Sequence, residues 1–166
     1  MHRRRPGRDQ ADDRDIQEIM DGFSAIIEMS KGDTRRRHFS FEDKSLLLDL
    51  GPIPEIMGGG VMPEAYGFLE GIMNKTEGDE VDVVVFSERE YKLEDKLHVF
   101  PIGVIIRSDG DHKVLAVDDG LRGKISDLQD MPGERMRSVS DFFGAVHPIS
   151  EIKGKEEALE YIESCK

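Results

Sequence analysis

Ahead of residue 133 the apolar residues of this chain fall in short runs of strand length, each bounded by glycine, proline or acidic residues, and runs of that kind do not build a helical bundle. Residues 23–29, 38–41, 46–50, 81–87, 99–107 and 114–117 read as extended segments. The stretch GPIPEIMGGGVMP (51–63) reads as a long loop, and Ser108-Asp109-Gly110-Asp111 as a tight turn joining the last two strands. Helical periodicity arrives late. Met136, Val139, Phe143 and Val146 recur at helical spacing before Pro148, and Ala158, Leu159, Ile162 and Cys165 form a second apolar face. Residues 1–22 read as an N-terminal extension, polar and expected to be mobile over MHRRRPGRDQADD, with a short helix expected at 15–20. Residues 23–166 read as a single domain, since a 166-residue chain buries roughly two-thirds of its unfolded surface around one core.

Charge narrows the function. A net charge of −12 argues against a general nucleic-acid binder, which gains affinity by presenting lysine and arginine to phosphates. No apolar span suits a membrane helix, and the arginine-rich start runs into acidic residues rather than a signal-peptide core, so a cytoplasmic protein without a membrane partner is expected. The one cysteine, Cys165, offers no disulfide within a chain and reads as a reduced bystander thiol. His2, His38, His98, His112 and His147 lack zinc-site spacing, and Gly58-Gly59-Gly60 is not followed by Lys-Ser or Lys-Thr, so it is no P-loop. If an acidic cleft is to hold an anion, divalent cations bridging carboxylates and phosphate oxygens are the natural means, while solubility alone is the simpler use of the charge.

Two segments carry candidate chemistry. In TEGDEVDVVVFS (76–87) Asp82 interrupts an apolar strand, where it either faces solvent or needs compensation, because an unpaired buried carboxylate costs several kcal/mol. Glu77 and Asp79 precede it closely, so a turn entering a strand gathers three oxygen donors. In SDGDHKVLAVD (108–118) Asp109, Asp111 and Lys113 lie at a hairpin mouth. Each segment alone reads as an acidic turn. If the two face each other, four carboxylates converge, and their repulsion calls for magnesium or raised pKa values, with Lys113 placed to touch a phosphate.

The run PEAYGFLEGIMNKTEGDEVDVVVF (63–86) resembles the soluble family I inorganic pyrophosphatase segment Pro-x-x-Tyr-Gly-Phe followed by Asp-Gly-Asp-Pro-x-Asp. FPIGVIIRSDGDHKVLAVD (100–118) resembles that family's Arg-Pro-Ile-Gly segment, aspartate-rich turn and Lys-x-x-Ala-Val strand. The resemblance covers residues 23–166. It implies an α+β, mainly β fold, an OB-like five-stranded β-barrel with flanking α-helices, and hydrolysis of pyrophosphate or a related phosphate compound by a magnesium-activated water, with manganese an alternative ion. It also implies a homo-oligomer. By motif position it assigns metal binding to Glu77, Asp79, Asp82, Asp109 and Asp111, general-base duty to Asp79, phosphate or water contact to Tyr66 and Lys113, and a substrate-site role to Glu28. Glu77 stands for an aspartate and lengthens that arm by about 1.5 Å.

The chain departs from the family where that family grips phosphate. His38-Phe39-Ser40 replaces Lys-Tyr-Glu, Leu50 stands at an arginine position, and Val146-His147 falls where a Tyr-Lys pair is expected. Each lost charged contact to a transferring phosphoryl group costs about 2–4 kcal/mol of transition-state stabilisation, about 30- to 1,000-fold in rate. Arg35, Arg36, Arg37, Arg107 and His147 are candidate replacements. Two functions therefore stand at the sequence level: a pyrophosphate hydrolase, and a noncatalytic relative of the same fold that keeps metal or phosphate binding.

Overall fold

The computed structural model describes residues 22–40 and 42–166. The expected mobile extension and its helix at 15–20 lie outside the described residues. Eight strands and two α-helices follow in the order β1 (Phe23–Met29), β2 (Arg35–Phe39), β3 (Leu47–Pro52), β4 (Ala65–Asn74), β5 (Asp79–Phe86), β6 (Lys96–Arg107), β7 (Lys113–Val117), α1 (Gly133–Gly144), β8 (Ile149–Gly154) and α2 (Lys155–Ser164).

Five strands close into a barrel. They neighbour one another in the order β1-β4-β5-β7-β6, and β6 pairs back onto β1 through Phe23↔Val99 to Ile26↔Lys96. Every pairing is antiparallel except β5 with β7, which runs parallel and sets Asp82 opposite Lys113. Closing a sheet requires strongly bent strands. The bends fall at register shifts between Ile27 and Met29 in β1, between Phe68 and Met73 in β4, and between Pro101 and Gly103 in β6. β8 adds to the free side of β6, and β2 and β3 form a separate antiparallel hairpin.

Successive strand residues point to opposite faces, and both faces are buried here, which is why the apolar runs are continuous rather than alternating. Val81, Val83 and Val85 join one core cluster with Ile162 and Cys165 at the C-terminal helix. Val84 and Phe86 join a second cluster with Val139, Phe142 and Phe143 of α1. Asp82 belongs to the second face, two residues before Val84, and is therefore aimed toward the α1 side of the barrel.

Two strands add to those expected from the sequence. β4 is obscured by Gly67, Glu70 and Gly71, which break any strand pattern. Gly67 is nonetheless required: a Cβ there would collide with the Ile26 carbonyl oxygen, so the glycine permits the close approach of β1 and β4. β8 is an exposed strand whose sequence, ISEIKG, lacks an apolar face. β2 begins at Arg35, three residues ahead of the expected start, and this extension brings an arginine run into pairing with β3.

Candidate active site

Most of the candidate residues surround one cavity of about 580 Å³ at the end of the barrel. β5 supplies Asp79, Glu80 and Asp82, with Glu77 from the turn before it; the β6–β7 turn supplies Asp109 and Asp111, and the strand ends flanking it supply Arg107 and Lys113. β4 supplies Tyr66, and the β2–β3 hairpin supplies Arg36, Arg37 and His38.

The two acidic turns lie side by side for a local reason. Asn74, 4% exposed, accepts hydrogen bonds from the backbone N–H groups of Thr76 (2.9 Å) and Glu77 (3.2 Å) through its side-chain oxygen. Its amide nitrogen donates to the carbonyl of Gly110 at 3.2 Å, joining the β4–β5 turn to the β6–β7 turn. Gly110 takes a positive φ of 80°, a conformation that favours glycine, and the Asp111 N–H donates to Asp109 Oδ1 at 3.1 Å across that turn.

Lys113 sits between the turns, 4% exposed. Its ammonium group pairs with Asp82 at 2.6 Å and Asp111 at 3.0 Å, and donates to the Tyr66 hydroxyl at 2.9 Å. Arg107 pairs with Asp109 at 2.6 Å, reaches Asp111 at 3.4 Å and donates to the Phe143 carbonyl at 3.3 Å, tying the turn to α1. α1 is itself anchored by Arg135, which donates to both carboxylate oxygens of buried Glu64 (2.8 and 3.0 Å) and to the Ser87 carbonyl (2.7 Å). That docking lays Phe143 against Tyr66 with ring centroids 5.3 Å apart.

Asp79 is held from the hairpin side. His38 Nε2 lies 2.9 Å from Asp79 Oδ2, while His38 Nδ1 lies 2.6 Å from the Phe39 carbonyl. The imidazole ring thus bridges the Phe39 carbonyl and the Asp79 carboxylate. Lys44 bridges Asp79 (3.0 Å) and Glu80 (2.9 Å). Neither Lys44 nor Glu80 belongs to the site expected from the sequence; Lys44 lies in the β2–β3 connection, and the hairpin register that brings it here has no short turn motif to announce it. Of the candidate replacement cations, Arg36, Arg37, Arg107 and His147 line the cavity, whereas Arg35 is turned away to an exposed pair with Asp49 at 2.7 Å. Glu28 lies outside the cavity lining: buried behind His38, it accepts a hydrogen bond from the Phe39 N–H at 2.9 Å.

Electrostatics set these acids apart. Burial pushes Glu28 up to about 7, against the Phe39 hydrogen bond and the charge of His38. Burial likewise pushes Asp82 up to about 6, with Lys113 opposing the rise and Asp111 adding to it. Asp79 and Asp109 move the other way. Burial raises both, but hydrogen bonds at Glu80 and Lys44 outweigh it for Asp79, and the Arg107 contact outweighs it for Asp109, which falls to about 2. Burial and the neighbouring Asp82 charge hold the Tyr66 phenol well above its ordinary value, so it remains a hydroxyl donor at neutral pH.

Six carboxylates and four Lys or Arg side chains line the cavity, leaving an excess of negative charge in a partly desolvated space. Among the described residues no three His, Cys, Asp or Glu side chains stand gathered as a ready metal cluster, because each aspartate is drawn toward a side-chain cation. The donor set nevertheless fits a hard divalent ion: all are carboxylate oxygens, and the raised Asp82 marks a charge that its present neighbours compensate incompletely.

The family model for inorganic pyrophosphatase matches residues 25–166. An inorganic pyrophosphatase from Nanoarchaeum equitans (strain Kin4-M) is 28% identical over 158 residues, covering 86% of this chain and 94% of that protein. One from Ureaplasma parvum serovar 3 is 31% identical over 126 residues, covering 73% of this chain and 67% of that protein. Among solved structures, the inorganic pyrophosphatase from Ehrlichia chaffeensis superimposes with a TM-score of 0.78 at 29% identity, covering 86% of this chain and 92% of that one.

The fit to a divalent ion gives a direct expectation. Magnesium or manganese at about millimolar concentration raises the melting temperature by linkage, and Asp82→Asn reduces the rise. A melting curve indifferent to both ions would contradict the shared carboxylate site.

Proposed function

Because the chain belongs to the inorganic pyrophosphatase family, we propose that this cavity is where it hydrolyses inorganic pyrophosphate to two phosphates, and that its own side chains divide the work as follows. The observation that supports the assignment is the opposition of two acidic turns across one cavity with Lys113 and Tyr66 between them. Glu77, Asp79, Asp82, Asp109 and Asp111 are the residues that would hold divalent metal, magnesium first and manganese as the alternative. Bound there, such an ion supplies positive charge for phosphate oxygens and acidifies a coordinated water.

The protein's part begins with cations. Lys113, Arg107, Arg36, Arg37 and His147 offer donors to the two phosphate groups, in place of the clamp residues that Leu50 and Val146 do not provide. Lys113 has three donors and spends them on Asp82, Asp111 and Tyr66; were the two aspartates to hold a divalent ion, the ammonium group would be available to a phosphate oxygen. Tyr66 keeps its hydroxyl proton and donates it to a phosphate or water oxygen. Asp79, whose pKa lies below the usual carboxylate value, is ionised at neutral pH and takes the proton from the attacking water. Glu28 acts from behind: by fixing the Phe39 backbone it orients the neighbouring His38, which holds Asp79.

The apolar side chains at Leu50 and Val146 favour a second reading, a noncatalytic relative that binds metal and phosphate. Phosphate release from magnesium pyrophosphate by the purified protein decides between them. The hydrolase reading predicts turnover that Asp79→Asn lowers about a hundredfold or more while leaving the fold intact by circular dichroism. Equal turnover in mutant and parent would remove Asp79 as the base, and no release from a folded, metal-bound parent would leave the binding relative.

No helix among the described residues is long and apolar enough to cross a membrane, and a cytoplasmic location accompanies the hydrolase reading as part of this proposal. The outer edge of β8 and Ile152 on it, 36% exposed, support the expected homo-oligomer. Light scattering should give a mass well above 18.8 kDa, and a particle of one chain would remove that expectation.

A further inference from the structure

The cavity is on one side more apolar than two phosphate groups require. Its volume of about 580 Å³ falls in the range of roughly 300–1,000 Å³ that houses drug-sized organic ligands. The carboxylates, Arg107 and Lys113 come from β5, the turn before it, the β6–β7 turn and the strand ends flanking that turn. The side built by β3, the loop after it and α1 instead presents Leu50, Ile53, Pro54, Met57, Phe142 and, just past the helix, Val146. Ile53 and Phe142 belong to the core behind this wall, but Leu50 and Val146 are 52% and 54% exposed; methyl groups offer a phosphate nothing, and burying such side chains is favourable only under an apolar group.

The apolar surface also leads away from the cavity. Leu48 and Leu50 are spaced by two along β3, which puts them on one face, and Leu46 lies just ahead of the strand where its carbonyl accepts from the Ser40 N–H; the three are 38%, 52% and 51% exposed. The register identifies that face. Leu48 pairs with His38, whose ring reaches Asp79, and Leu50 itself lines the cavity beside Arg36 and Arg37. A ligand with its phosphates among the cations and carboxylates therefore has a leucine stripe along which a hydrocarbon chain can lie, starting at the site of reaction.

We propose that the cavity accepts a diphosphate monoester bearing a short branched alkyl or alkenyl chain, with the diphosphate among Lys113, Arg107, Arg36 and Arg37 and the chain along Leu50, Leu48 and Leu46. This rests on the hydrolytic reading above. In the reaction the water oxygen forms a bond to the terminal phosphorus, and the bond from that phosphorus to the bridging oxygen breaks. The bridging oxygen leaves with the alkyl phosphate, and inorganic phosphate and one proton complete the products. A nucleoside in place of the chain would need hydrogen-bond partners for its base edges, which the leucine stripe does not offer.

The test measures phosphate release from pyrophosphate, isopentenyl diphosphate and uridine diphosphate by the purified full-length protein with magnesium. The expected kcat/KM for isopentenyl diphosphate lies within about tenfold of that for pyrophosphate, with uridine diphosphate at least about tenfold poorer than the alkenyl ester. Leu48→Asn, at an exposed strand position, lowers the ratio of alkenyl ester to pyrophosphate by about tenfold, the weight of one covered leucyl side chain. Leu50→Arg moves the ratio the same way, because a guanidinium grips pyrophosphate and removes apolar cover. Pyrophosphate cleavage with the alkenyl ester more than about a hundredfold poorer would overturn the proposal and leave the pyrophosphatase reading intact. So would a Leu48→Asn variant that changes the particle mass and not the ratio, since the stripe would then be a contact between copies of the chain. Release from no substrate would take down both readings.

Discussion

A lysine ammonium group closed off from water governs this molecule's architecture around the cavity. Lys113 is 4% exposed, and a charge in that position persists only if its partners are close and its donors are filled. Asp82, Asp111 and Tyr66 fill them at 2.6 to 3.0 Å. Those three residues come from β5, the β6–β7 turn and β4, so the pairing of β5 with β7, the tight turn and the approach of β4 are all conditions for one ammonium group to be tolerated. Removing a single partner of such a buried pair typically costs about 3–5 kcal/mol, more than the bond between two exposed charges could repay. The cluster is thus a structural knot, and under the proposed function its excess of carboxylates is where a divalent ion would be held.

The barrel strands with dense β-branched content are legible in the amino-acid sequence. DVVVF and KVLAV read as strands because their side chains suit a pleated, enclosed surface, and both are buried on two faces. β4 is not legible, although it is central. What hides it, Gly67, is a requirement of tertiary packing, the contact with the Ile26 carbonyl, and a local pattern carries no trace of a neighbour supplied by a distant strand. β8 escapes for the opposite reason: it docks one edge onto β6 and leaves three of its residues exposed, so its pattern is hardly different from a loop.

The acidic turns of the site are legible one at a time, and their convergence is not. Spacing places Glu77, Asp79 and Asp82 together, and Asp109 with Asp111, but Asn74 joins the two groups through the Gly110 carbonyl, and an asparagine before a turn looks like ordinary turn chemistry. The arginine run shows the same limit. Arg36 and Arg37 reach the cavity while Arg35 does not, a difference set by the register shift between Arg35 and Arg37 in the hairpin. Lys44 gives no signal, because its contacts with Asp79 and Glu80 span 35 and 36 positions of sequence.

The central claim is that the carboxylates now paired with Lys113, Arg107, Lys44 and His38 form a divalent-metal site. The most direct test is a crystal structure of the full chain soaked in manganese, with anomalous density locating the ions. The account predicts manganese among Asp79, Asp82, Asp109 and Asp111, with the Lys113 ammonium group moved off Asp82. Saturating manganese with no anomalous peak among those carboxylates, and Lys113 still bound to Asp82, would contradict it.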